Sequence, residues 1–276
     1  MRVASPVLGP VLLIELRVLI AGIALIIYSL AIGINLQIKS YWKQYLAIGT
    51  INSALPFLLI ATAELNLTAG IAAILNATSP LFGAVIAALW IKEALTLKKV
   101  TGLLLGLLGV SILVGWSALS FNLILVLSIG ASISAAVFYG IGSVLTKVST
   151  RGVNAISLAT CSQSAAALFL LPVVPFTLPT GFPDPGVILS VLALSLLCTS
   201  VGYLIYFKLI ISIGPTKTLT VTFLAPVFGV LWGTIFLGEA LNLSTIIGFA
   251  VILLGSAYVT GVGPGKKKAL PVSQGV

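Results

Sequence analysis

Apolar residues in this chain gather into runs of about 20, and nearly every charge falls in the short gaps between them. The runs predict helices and the gaps predict loops. Nine can be read: A (7 to 31), B (44 to 64), C (69 to 91), D (99 to 117), E (122 to 146), F (154 to 177), G (186 to 211), H (217 to 238) and I (243 to 261). At 1.5 Å of rise per residue each can cross about 30 Å of hydrocarbon. A transmembrane barrel would show alternating segments of about 10 residues, and none is evident. The expected fold class is therefore all-α, a polytopic integral membrane protein.

Composition strengthens that reading, since 59% of the 276 residues are hydrophobic and only 7% are charged. A soluble surface of this size could not be covered by so few charges. The net charge of +9 would suit nucleic acid, but the basic residues sort by membrane face instead. Alternating the nine helices puts Lys39, Lys43, Lys92, Lys98, Lys99, Lys147, Arg151, Lys208, Lys217 and Lys266 to Lys268 on one side. The other side keeps Arg2 with Glu64, Asp184 and Glu239. The positive-inside rule then makes the lysine side and the C-terminus cytoplasmic, in a plasma (inner) membrane. Residues 262 to 276 read as a basic tail touching anionic headgroups, and no nucleic-acid partner is expected. Glu15 and Arg17 interrupt the first apolar stretch and no small-residue cleavage site follows, so run A is expected to stay in place.

The chain also repeats itself. Sliding it by 146 residues aligns Pro80 with Pro226, Phe82 with Phe228, Gly83 with Gly229, Glu93 with Glu239, Gly102 with Gly248 and Gly109 with Gly255. The same offset pairs Ser53 with Thr199, Phe57 with Tyr203 and Arg17 with Gln163. Runs A to D thus correspond to F to I, and run E has no counterpart before residue 1. The unit has five helices. The reading divides the chain into a first repeat (1 to 117) lacking its first helix, a second repeat (122 to 261) and the tail, and it expects a shortened N-terminus. An odd unit must enter the membrane inverted the second time, the plan of secondary transporters that alternate between two openings.

The phrases "SPLFGAVIAALWIKEALTLKKVTGLLLGLLGV" and "APVFGVLWGTIFLGEALNLSTIIGFAVILLGS", with "SPVLGPVLLIELRVLIAG" near the start, resemble the drug/metabolite transporter superfamily. In particular they resemble its EamA-like permeases, built from two inverted five-helix repeats. The resemblance implies a membrane permease for small polar metabolites, often amino acids, usually exported. A lipid-linked sugar flippase, or an importer of the same superfamily, is the competing reading. The resemblance also places an arginine at position 17.

Candidate solute contacts follow from polar residues in apolar surroundings. Arg17 lies about ten residues into run A, hence about 15 Å deep, where a charge costs on the order of 2.5–3.5 kcal/mol and is functional by default. Glu15, two residues away and on another face, is the candidate for carrying a coupling proton. Asn52, Ser53 and Gln163, the counterpart of Arg17, add uncharged hydrogen-bonding capacity. Run G writes Ser195, Thr199, Tyr203 and Tyr206 down one face, and run E writes Ser132, Tyr139 and Ser143. Tyr206 also reads as an interfacial aromatic. Asn76 with Pro80 and Gly83 on run C is echoed by Thr222 with Pro226 and Gly229 on run H, and the two prolines predict kinks that could gate a path. Glu93 and Glu239 are expected to cap the helices that follow them. The glycines of runs D and I suit close helix packing, with a homodimer as the alternative.

Enzyme chemistry is not expected: the chain has no histidine and one acid inside the membrane region, which leaves neither a triad nor a metal site. Cys161 and Cys198 carry no metal or disulfide spacing, and no cofactor is implied.

Overall fold

The computed structural model describes residues 4 to 67, 69 to 114, 123 to 178, 183 to 224, 227 to 228 and 243 to 260. Among the described residues helix is the regular structure, as a bilayer demands of segments whose backbone must satisfy itself. In order these are α1 (Ser5–Ala31), α2 (Ile38–Ala63), α3 (Ala69–Asn76), α4 (Ser79–Ile91), α5 (Leu97–Val114) and α6 (Leu123–Ser149). Then come α7 (Ala155–Leu170), α8 (Pro185–Ile213), α9 (Pro215–Leu219) and α10 (Leu243–Thr260).

Among the described residues six helical stretches are long and apolar enough to span a membrane, fewer than the nine expected. Run H lies largely outside the described residues, and run C is divided between α3 and α4, which together make one span from Ile74 to Ile91.

Local chemistry sets the ends. Asn154 caps α7, accepting from Ser157 N at 2.7 Å, and Asp184 caps α8, accepting from Gly186 N at 3.0 Å with Pro185 in the first turn. Gly9, at φ 73°, breaks α1 after its first turn, just before Pro10, in a conformation that L side chains rarely adopt. Glu93 does not cap α5. Thr96 does, accepting from Lys99 N at 3.3 Å, while Glu93 pairs with Lys99 Nζ at 2.8 Å across the turn. The hydroxyl sits one residue from the helix start and is the nearer acceptor.

Two helices change pitch at matching places. α2 carries a π turn over Thr50–Ala54 and α8 carries one over Leu194–Val201. Displaced by 146 residues the first falls within the second. The same displacement carries Gly102 and Gly109 of α5 onto Gly248 and Gly255 of α10. A break follows Asn76, with Ser79 Oγ donating to its carbonyl at 2.6 Å and Pro80 in the next first turn. Displaced by 146 residues, Asn76 falls on Thr222, within the 3-10 turn Thr220–Phe223. Pro226, Gly229 and Glu239 lie outside the described residues.

α1 packs along α7, α2 along α6 and α7, α4 along α6, and α5 along α10. Large apolar side chains such as Leu89, Leu104, Leu127 and Leu168 point outward, as they do where hydrocarbon replaces water. The seam between α5 and α10 is built from glycine: a Cβ on Gly102 would meet Gly255 O at 2.8 Å, and one on Gly109 would meet Gly248 O at 3.0 Å. These glycines serve packing inside the chain.

Candidate polar site between the two halves

Arg17 sits near the middle of α1 and is buried, 8% exposed. Its Nε donates to Thr199 Oγ1 at 2.7 Å, and its guanidinium carbon lies 3.8 Å from the ring centre of Phe57. Thr199 stands in the π turn of α8, where its hydroxyl donates to Leu194 O at 2.8 Å. That arrangement leaves an oxygen lone pair for the arginine. Phe57 contributes the negative face of its ring, worth about 2 kcal/mol or more where a cation is desolvated.

A second bond repeats the first. Gln163 on α7 donates from Nε2 to Ser53 Oγ at 2.9 Å, and Ser53 stands in the π turn of α2. Displacing Arg17 and Thr199 by 146 residues, forward and back, gives Gln163 and Ser53. The two bonds are thus exchanged by the sequence repeat, with a charged donor on one side and a neutral one on the other. Phe57 and Tyr203, also exchanged, meet each other edge to face at 6.0 Å.

Around this pair of bonds is an aromatic wall. Tyr139 on α6 approaches Phe57 at 6.5 Å, and Tyr206 lies 5.6 Å from Tyr203 and 5.4 Å from Phe207. Tyr203 donates to Asn52 O at 2.7 Å and Tyr206 to Asn52 Oδ1 at 3.2 Å. Tyr206 is therefore part of the interior cluster as well as a residue of the helix end. A π turn frees backbone carbonyls from the regular ladder, and the Asn52 carbonyl is one that a tyrosine then satisfies.

The site is closed. Asn52, Ser53, Gln163 and Thr199 are fully buried, and Asn52 Nδ2 and Gln163 Oε1 have no hydrogen-bond partner. Such atoms are expensive to leave unpaired, on the order of 1–3 kcal/mol each.

Of the positions singled out from sequence, Arg17, Asn52, Ser53, Tyr139, Gln163, Thr199 and Tyr203 meet here. Asn76 and Thr222 do not join them by any described bond: Asn76 bonds with Ser79, and Thr222 donates to Leu219 O at 2.8 Å. Ser195 and Ser143 bond their own helices, to Val191 O and Gly140 O. Glu15 is buried on a different face of α1 from Arg17. Sequence reasoning passed over Phe57 as a site residue, although its pairing with Tyr203 in the repeat was the signal available.

A family model for the EamA-like transporter family matches residues 1–115 and 126–261. Among curated proteins, the uncharacterized transporter YvbV of Bacillus subtilis is 29% identical over 271 residues, 94% of this chain and 85% of that one. An uncharacterized transporter of Archaeoglobus fulgidus is 25% identical over 252 residues, covering 90% and 87%. Protein PecM of Dickeya dadantii is 24% identical over 272 residues, covering 96% and 88%. A solved crystal structure has the same fold, with a TM-score of 0.77 at 23% identity over 94% of this chain and 90% of that one.

Proposed function

Because the chain belongs to the EamA-like transporter family, we propose that it is a secondary transporter exporting small polar metabolites, amino acids or related solutes, by alternating access between its two halves. The observation that carries this reading is the buried guanidinium of Arg17, bonded to Thr199 and stacked on Phe57 where α1, α2 and α8 meet. A charge held this deep is costly unless it serves a purpose, and a carboxylate is its natural visitor.

The polar groups suit a zwitterion. Arg17 and Asn52 Nδ2 can donate to a carboxylate, and Gln163 Oε1 can accept from an ammonium group. Phe57, Tyr139 and Tyr203 offer ring faces and edges to an apolar or aromatic side chain. Entry requires the Arg17–Thr199 bond to yield, and a charged carboxylate competes well against a neutral hydroxyl because charge-assisted bonds are roughly twice as strong.

The exchanged bonds suggest how the path alternates. Opening one side separates Arg17 from Thr199, and opening the other separates Gln163 from Ser53. With both bonds made, the arrangement is closed to both sides. The π turns that carry Ser53 and Thr199 are the places where each helix can shift register at small cost.

The same reading places the protein in the plasma (inner) membrane with its lysine-bearing end in the cytoplasm. Three basic segments meet at one end of the molecule: Tyr41 donates to Arg151 O at 3.4 Å, Lys147 Nζ to Ile211 O at 2.8 Å, and Ser157 to Asn35 O at 3.3 Å.

The solute is found by comparing metabolites released by cells that overproduce the protein with those from cells lacking it. Expected is enrichment of one amino acid or close relative outside overproducing cells. Identical external metabolites in both strains, with the protein verified in the membrane, would contradict export.

A further inference from the structure

α1 carries two ionisable residues that look in different directions. Arg17 turns inward to Thr199, whereas Glu15, roughly 200° away around the helix, lines a cavity of about 230 Å³ between α1 and α7. The other residues of that cavity on α1 are Leu19, Gly22, Ile23 and Ile26, which continue the Glu15 stripe at helical spacing. Leu19, Ile23 and Ile26 are 37%, 50% and 37% exposed, so the stripe faces the bilayer.

Glu15 itself is 2% exposed, and neither carboxyl oxygen has a hydrogen-bond partner. α7 offers Ser164, whose hydroxyl is turned back to donate to Thr160 O at 2.8 Å, and beyond it Ala167 and Leu168. The titratable groups on elements packed against α1 are Cys161 on α7, Cys198, Tyr203, Tyr206 and Lys208 on α8, and Lys39, Tyr41, Lys43 and Tyr45 on α2, with Glu64 and Asp184 at helix ends. None of them lines this cavity, and Arg17 does not either. An ionised carboxylate in such surroundings would lack a cation, donors and the water that only a polar cavity retains.

We propose that Glu15 is a proton-binding site reached from the bilayer side, separate from the Arg17 cluster, and that its carboxyl is protonated in this conformation. Glu15 then holds a proton that leaves only when α1 and α7 move so that a donor or water reaches it. The inference requires the membrane placement of α1 and not the identity of the solute.

Dicyclohexylcarbodiimide tests it, since this apolar reagent partitions into bilayers and couples to protonated carboxyl groups. The full chain in phosphatidylcholine vesicles is treated at mildly acidic pH and its peptides are mapped by mass. Expected is an adduct at Glu15, lost in E15Q and kept in R17Q, and at least about ten-fold more of it than a water-soluble carbodiimide produces. Infrared spectra of the wild type should show the carbonyl stretch of a protonated acid, missing in E15Q. No adduct at Glu15, or equal labelling by the water-soluble reagent, would overturn the proposal. Should E15Q fail to insert, the mapped adduct in wild type and in E15D decides alone. Loss of flux in R17Q leaves this labelling unchanged, so failure of the transport reading and failure of the proton site are read separately.

Discussion

Arg17 and Thr199, far apart in the chain, are joined by a 2.7 Å hydrogen bond that ties α1 to the π turn of α8. Its counterpart under the repeat, Gln163 to Ser53 at 2.9 Å, ties α7 to the π turn of α2. One fastening is charged and the other neutral, so the two should differ in strength. T199V removes an acceptor from a buried cation and should cost about 1.5–3 kcal/mol, whereas S53A should cost about 0.5–1.5 kcal/mol. Thermal melting of the purified protein in detergent measures the difference, and T199S should recover most of the loss. Equal destabilisation by both would contradict the asymmetry.

The α5–α10 seam makes a sharper packing prediction. A Cβ on Gly255 would lie 2.5 Å from Gly106 N and 2.6 Å from Gly102 O, backbone atoms that can retreat only if the helices part. G255A should therefore destabilise by about 1–3 kcal/mol through overpacking. Gly130 has nothing within 4 Å, so G130A should be neutral or stabilise by up to about 1 kcal/mol through helix propensity. Melting temperatures of the two variants, measured side by side, check this.

Phe57 links the cation to the aromatic wall. F57L should keep the apolar volume but lose the ring face under Arg17 and the edge contacts with Tyr139 and Tyr203, costing about 1–3 kcal/mol in all. F57W, which keeps a ring face, should retain more stability than F57L. A double-mutant cycle with R17Q isolates the cation–ring part of the effect.

The Glu93–Lys99 pair should matter little. Its groups are 26% and 17% exposed, in a turn where water and salt reach them, so K99A should shift stability by less than about 1 kcal/mol. Melting in low and high salt should bring wild type and K99A closer together as salt rises.

How much of this was legible in the sequence depended on which signal carried it. The apolar runs announced the helices, and the 146-residue offset already paired Arg17 with Gln163 and Ser53 with Thr199. The offset could not say that these four residues bond crosswise, because that depends on how helices meet. The π turns were invisible, since no residue type marks a widened turn as proline marks a kink. Tyr206 looked interfacial because its depth was judged along one helix, whereas its hydroxyl reaches Asn52 on another. Glu93 looked like a cap because acid before a helix usually is one, and the nearer Thr96 took that role. Asn76 and Thr222 matched by spacing alone, and spacing says nothing of what a side chain touches.

The central claim is that Arg17 receives the solute, and flux through R17Q in proteoliposomes tests it most directly. With the exported metabolite inside the vesicles, R17Q should insert normally yet lose transport of an anionic or zwitterionic solute by at least about ten-fold, a loss of 1.4 kcal/mol or more. R17K, which keeps the charge but not the planar fork, should recover only part of it. Flux in R17Q equal to wild type would contradict the account.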